Sequence, residues 1–236
     1  MKVHCYLLPT EISDAASKGK TAVVIDVLRA STSIVTAKAN GAEKLIPTAT
    51  IESAKKFLAT LDRESTLLCG ERGGRMIDGF DLGNSPRDYT RDAVSGKTVI
   101  LTTSNGTETI MRLDGAREII VCGLVNLGAV AETVRGEAEL FIACSGRDHR
   151  FALEDAICAG GLVSRLRDLG VRTALDDGAA TCEALFALHR ADLAGALRGA
   201  SHGRYLSEIG FDADIDDCAA LDAYDVVPVV REGRIA

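Results

Sequence analysis

The chain has 236 residues, 47% of them hydrophobic, and a net charge of −7, so it can bury one large core or two modest ones. That charge, with no strongly basic run, excludes a general nucleic-acid binder, because neutralising phosphates needs clustered Lys and Arg. No apolar run is long enough to span a bilayer, no secretory signal is visible, and the seven cysteines form no CxxC pair, so a cytoplasmic protein that engages no membrane is expected.

Taken in order, residues 1–8 read as an opening strand, and Pro9 with the polar 11–20 segment as a loop or short helix. The pattern then becomes regular: strand 22–27, helix 33–39 stopped by Asn40-Gly41, strand 44–47, helix 51–61, strand 66–69. The same order returns as strand 98–101, helix 107–113 stopped by Asp114-Gly115, strand 118–122, helix 126–134 and strand 139–143. Gly41-Ala42 reappears as Gly115-Ala116, and the same offset lays residues 29–33 on 103–107 and Asp81 on Asp155. An internal duplication and a shared βαβ rhythm without duplication both produce this pattern. Beyond Glu154 the texture is helical, with helices over 153–169, 179–189, 192–197 and 201–209, and residues 226–230 close the chain as a strand that Pro228 places at an edge.

The expected fold is α/β: mainly parallel sheet with helices on both faces, two similar βα lobes in tandem (1–95 and 96–236) forming a cleft, and a helical C-terminal region, all one unit without a linker. Loops at the carboxyl ends of parallel strands share one sheet edge, where open α/β folds hold ligands. Four polar loops should gather there.

In the first, Asp26 and Arg29 precede Ser31, Thr32 and Ser33 at a helix start, where unpaired backbone N–H groups favour phosphate or sulfonate. Asp26 would repel such an anion unless a cation lay between them, which points to a metal-assisted site. The second loop, 70–86, carries Arg72 and Arg75 to fork onto anions, Asn84 and Ser85 as further polar contacts, and Glu71 and Asp81 to hold a hard cation such as Mg²⁺. A solvated loop whose Arg and Glu pair with each other is the competing reading. In the third, Thr102, Thr103, Asn105, Gly106 and Thr107 offer helix-cap chemistry or a backbone cradle for an anion. The fourth presents Ser145, Gly146 and Arg147, then Glu154-Asp155 in the first turn of a long helix, where acids also suit the helix dipole. Cys144 and Arg150 match the C-x5-R spacing of cysteine phosphatases, although Glu154 and Asp155 would oppose a reactive thiolate, and His149 is the one histidine to weigh for acid–base work against an ordinary surface role. Neither GxSxG nor GxGxxG occurs at the relevant strand ends.

The segments VVIDVLRASTS, GERGG…GFDLGNSP, TTSNGT and CSG…RFALEDA, in this order, with the tail SHGRYLSEIGFDADIDDCAALDAYDVVPVV, resemble the 2-phosphosulfolactate phosphatase family of coenzyme M biosynthesis over nearly the whole chain. The resemblance implies a Mg²⁺-dependent phosphatase that converts 2-phospho-3-sulfolactate to 3-sulfolactate, a small anionic substrate bearing phosphate, carboxylate and sulfonate. Arg29, Arg72, Arg75 and Arg147 would divide those anions. Asp26, Glu71, Asp81, Glu154 and Asp155 are the candidate metal ligands, and Asp26, Arg29, Glu71 and Asp155 the candidate catalytic set. Either a water or Asp26 attacks phosphorus; Leu28, standing where DxD phosphatases carry their second acid, favours water. A phosphatase of another phosphorylated hydroxy acid, a cysteine phosphatase using Cys144 and a non-catalytic anion binder are the alternatives, and the oligomeric state, homo-oligomer included, is left open.

Overall fold

The computed structural model describes residues 1–13, 17–113 and 115–236. The expected helix stop at Asp114 and part of the 11–20 segment lie outside the described residues.

The chain begins with β1 (Lys2–Tyr6), β2 (Thr21–Ile25), α1 (Ala30–Ala39), β3 (Lys44–Pro47), α2 (Ile51–Leu58), β4 (Thr66–Arg72), β5 (Arg75–Met76), α3 (Arg91–Val94) and β6 (Thr98–Thr102). It continues with α4 (Gly106–Arg112), β7 (Glu118–Cys122), α5 (Leu127–Val134), β8 (Glu139–Cys144), α6 (Leu153–Asp168) and β9 (Ala174–Leu175). Four helices then precede a terminal hairpin: α7 (Asp177–His189), α8 (Leu193–Gly199), α9 (Ser201–Glu208), α10 (Asp212–Ala219), β10 (Val229–Arg231) and β11 (Arg234–Ile235).

All strands join one mixed, mostly parallel sheet in the order β5-β4-β6-β3-β11-β10-β7-β2-β8-β1-β9. Its central strands are buried on both faces, so their apolar residues sort by alternation. Val23 and Ile25, Ile120 and Cys122, and Leu140 and Ile142 pack on one side with α5, α6 and α7. Ala22 and Val24, Ile119 and Val121, and Val99 and Leu101 pack on the other with Ile34 and Ala37 of α1 and Ile110 of α4.

Two parallel groups make up this sheet, and each draws strands from both halves of the sequence. β2 pairs with β7 and β8, while β6 pairs with β3 and β4. The first half thus gives β1 and β2 to the group holding β7 and β8, and the second half gives β6 to the group holding β3 and β4. Helix α1 carries the chain from β2 in one group to β3 in the other, and α4 makes the reciprocal crossing from β6 to β7. A correction concerns Pro228 and the last strand, which is central. The hairpin β10–β11 bridges the groups, antiparallel to β7 and to β3. Pro228 is tolerated because it precedes β10 and contributes only its carbonyl, which accepts from Val121 N–H at 2.9 Å. Three successive antiparallel contacts separate β3 from β7, so the two groups run in opposite directions. The four loops consequently do not share one simple sheet edge.

Ile235 is fully buried in this bridge, opposite Leu45. Ile235→Ala is expected to destabilise the protein by about 2–5 kcal/mol, read as a lowered urea midpoint at unchanged slope.

Candidate active site

The four loops nevertheless converge, because the crossing helices meet at their N-termini. A Cβ built on Gly106, the first residue of α4, would lie 2.8 Å from Asp26 Oδ2 and 2.9 Å from Ala30 Cβ of α1. Only glycine permits that approach. Around it a pocket is lined by Asp26, Arg29, Glu71, Asn84, residues 103–105, Arg147, His202 and Tyr205, among others. Loops after β2, β4, β6 and β8 all contribute, as does α9.

Asp26 follows β2 and fills the position the sequence assigned to a ligand anion. Its Oδ1 accepts Ala30 N–H at 3.3 Å and its carbonyl accepts Ser31 N–H at 2.8 Å, so its carboxylate faces the first turn of α1. Burial nevertheless raises its pKa from 3.8 to about 6; the His202 charge and the Ala30 N–H oppose the rise, and the Glu71 and Glu154 charges add to it. The hydroxyls behind it serve the fold. Ser31 Oγ accepts Asp26 N–H, Thr32 Oγ1 donates to Val27 O, and Ser33 Oγ donates to Asn84 O.

The remaining acids divide into braces and one pair. Glu71 accepts Ser104 N–H at 2.7 Å and Gly74 N–H at 2.8 Å, one on each oxygen, tying the loop after β4 to the loop after β6. Asp155 accepts Val27 N–H at 2.8 Å and Gly146 N–H at 3.0 Å, binding the end of β2 to the loop after β8. Burial and the Asp26 and Glu154 charges push its pKa well up. Glu154 pairs with His202 Nδ1 at 3.2 Å. Asp81 lies away from the pocket: it accepts Leu68 N–H at 2.7 Å and pairs with Arg63 at 2.6 Å, a loop clamp that the sequence does not distinguish from a metal ligand.

Of the four arginines, two line the pocket. Arg29 is buried, donating to Asp214 Oδ2 at 2.6 Å and Gly74 O at 2.5 Å with its guanidinium over Phe211. Arg147 stacks on Tyr205 at 4.3 Å. Arg72 instead bonds Glu71 O and Thr102 Oγ1, and Arg75 is exposed in β5. Thr103 and Thr107 cap α4 through each other, and Ser85 Oγ donates to Asp214. Asn105 Oδ1 accepts Asp148 N–H. Asn84 Oδ1 and Ser145 Oγ are buried without a protein partner among the described residues, and Asn84 opens on the pocket.

Two of the alternatives lose support. His149 is exposed and absent from the pocket lining, displaced by His202. Cys144 is buried at the end of β8, and although a Cys5 hydrogen bond favours its thiolate, burial and Asp155 hold the thiol at about 11. No phosphate reaches such a sulfur as a thiolate nucleophile near neutral pH. The residues missed by sequence reasoning, His202, Tyr205, Phe211 and Asp214, all belong to the tail SHGRYLSEIGFDADIDD, whose polar residues at helical spacing were the available signal.

A family model described as 2-phosphosulpholactate phosphatase matches residues 6–233. The chain belongs to that family. Proteins named probable 2-phosphosulfolactate phosphatase are similar to it: one from Thermotoga petrophila is 42% identical over 91% of this chain and 90% of its own length. Another from Caldanaerobacter subterraneus is 36% identical over 100% of this chain and 98% of its own, and one from a Synechococcus is 43% identical over 91% and 90%. The family match thus spans all four loops and the tail that closes the pocket.

Among the described residues no three His, Cys, Asp or Glu side chains converge closely enough to cage a metal. The donor set fits a cation such as Mg²⁺ all the same, because Mg²⁺ is usually held by one or two carboxylates and completes its shell with water and substrate phosphate. Asp26 Oδ2, which lies beside Gly106 and does not receive the Ala30 N–H, is the carboxylate oxygen that could hold one.

The raised pKa of Asp26 gives a stability signature. An acid whose folded pKa exceeds its unfolded value contributes stability fully present below the unfolded value, here 3.8, and lost as pH rises through about 6. Without metal, Asp26→Asn should therefore become more stable than wild type as pH rises from 4 to 8, by up to about 3 kcal/mol. Urea denaturation in EDTA across that range measures the difference, and a gap that does not widen with pH refutes it.

Proposed function

We propose that this protein is a Mg²⁺-dependent phosphatase that hydrolyses 2-phospho-3-sulfolactate to 3-sulfolactate and phosphate. The observation that carries the reading is a buried carboxylate, Asp26, lining a pocket with two arginines and His202, whose Nδ1 is paired with Glu154 behind it. The relatives' names supply the substrate.

Each part has a separate task. Mg²⁺, when bound, neutralises phosphoryl charge as a Lewis acid. Asp26 Oδ2 would hold it, with Gly106 leaving room and α1 fixing the other oxygen. Arg29, locked by Asp214 and Phe211, presents its remaining N–H groups to the transferring group at a fixed position. His202, oriented through Nδ1 by Glu154, has Nε2 left to exchange a proton with the attacking water or the leaving oxygen. Asn84 offers an unpaired amide oxygen to water or to the hydroxyl that the sulfolactate product gains. Glu71 and Asp155 act by holding the loops in register.

Phosphate release from 2-phospho-3-sulfolactate and other phosphomonoesters, with Mg²⁺ or EDTA, tests the reading. Turnover that is lost in EDTA and lost at least about a thousandfold in Asp26→Asn is expected. Mg²⁺ should also raise the thermal midpoint of wild type and leave that of Asp26→Asn in place. Full activity in EDTA would refute the metal; binding of sulfolactate without turnover of any ester would refute the enzyme.

Gly106→Ala supplies an independent check on geometry. A methyl 2.8 Å from Asp26 Oδ2 must displace the carboxylate, so activity is expected to fall about a hundredfold in a protein that still unfolds cooperatively.

A further inference from the structure

The two pocket arginines are the same residue type in opposite electrostatic circumstances. Arg29 is 2% exposed and its charge is met by Asp214 at 2.6 Å. Arg147 remains 25% exposed; its nearest acid, Asp148, lies 3.5 Å from Nε and is itself 77% exposed. Its other polar contact, Nη1 to Ser201 O, is stretched to 3.5 Å. The charge of Arg147 is therefore available to a ligand.

What holds Arg147 is a ring. Its guanidinium sits 4.3 Å from the centroid of Tyr205, and stacking of this kind fixes the plane while leaving the N–H edges outward. The ring is anchored in turn, since Tyr205 Oη donates to Gly73 O at 2.9 Å. Arg147 also lines both the Asp26 pocket and a neighbouring cavity of about 490 Å³ that is bordered by Arg150 and Arg204.

We propose that Arg147 is the specificity determinant that receives the sulfonate of the substrate, with Tyr205 as its positioning residue. The assignment rests on the phosphatase reading of the pocket. With phosphorus at Asp26, the sulfonate lies one bond further from the reacting centre than the carboxylate, so it is the group that extends toward the mouth. A guanidinium fork with outward N–H edges suits its oxygens.

The test compares wild type, Arg147→Met, Tyr205→Phe and Tyr205→Leu. Binding of 3-sulfolactate is measured by calorimetry, and kcat/KM is measured on 2-phospho-3-sulfolactate and on 2-phospholactate, which lacks the sulfonate. Arg147→Met should weaken sulfolactate by at least about tenfold, and should lower kcat/KM for the sulfonated ester about tenfold more than for 2-phospholactate, chiefly through KM. Tyr205→Phe, which keeps the ring, should stay within about threefold of wild type, while Tyr205→Leu approaches Arg147→Met. Equal losses on both esters, or unchanged sulfolactate affinity in Arg147→Met, overturn the assignment. Arg147-dependent binding of sulfolactate by a protein that releases no phosphate from any ester leaves the assignment standing and rejects the phosphatase reading instead.

Discussion

A carboxylate shut away from water at the start of a helix is the constraint on which the site depends. Burial makes the charged form of Asp26 costly, and the first turn of α1 offsets only part of that cost. Such a group persists where the surrounding structure determines it from several sides. Here it does: β2 delivers it, α1 holds one oxygen, and α4 comes up beside the other at Gly106. That approach exists only because α1 and α4 cross in opposite senses between two parallel strand groups. Interleaving of the sequence halves therefore bears directly on the chemistry, since independent lobes would leave the two helix starts free to separate.

Around Asp26 several acids crowd one pocket, and their hydrogen bonds explain how they coexist. Loops leaving the strand ends carry backbone N–H groups that no ladder satisfies, and buried donors of that kind need acceptors. Glu71 takes two of them and Asp155 takes two more. Asp214 accepts from Arg29 and Ser85, joining the first loop, the glycine-rich loop and α10 at one buried point. These carboxylates are consumed in holding the loops together, and Asp26 keeps an oxygen facing the pocket.

The four polar loops and the longer elements up to α9 were legible in the sequence, because hydrophobic period reports strand and helix directly, whereas β5, α3, β9, α10 and β11 were not read. Pairing was not. Period says nothing about which strand lies beside which, so neither the exchange of β2 and β6 nor the reversal of direction between the two groups left a trace. The strands β10 and β11 span three and two residues, too few to establish alternation. Acidic residues posed a different difficulty: Asp81 and Asp26 both follow strands in polar company, and only the location of Arg63 in space makes one of them a clamp. In α10 four of the six residues of the run DADIDD are acidic, yet Asp214 and Ile215 are buried within it.

The C-terminal helices turn from a family signature into working parts on this view. α9 brings His202 and Tyr205 over the pocket, and α10 with its N-cap brings Asp214 and Phe211 to Arg29. The consequence for charge is the sharper point. A pocket meant for a multiply charged anion needs positive potential, but a cation already matched by a buried acid at 2.6 Å contributes mostly dipole. Arg29 is thereby converted into a fixed set of donors, suited to a group whose position must not vary during reaction. Arg147, stacked on an aromatic face and lacking a close acid, keeps its net charge for recognition. One segment, the tail, decides both outcomes by supplying an acid to one arginine and a ring to the other.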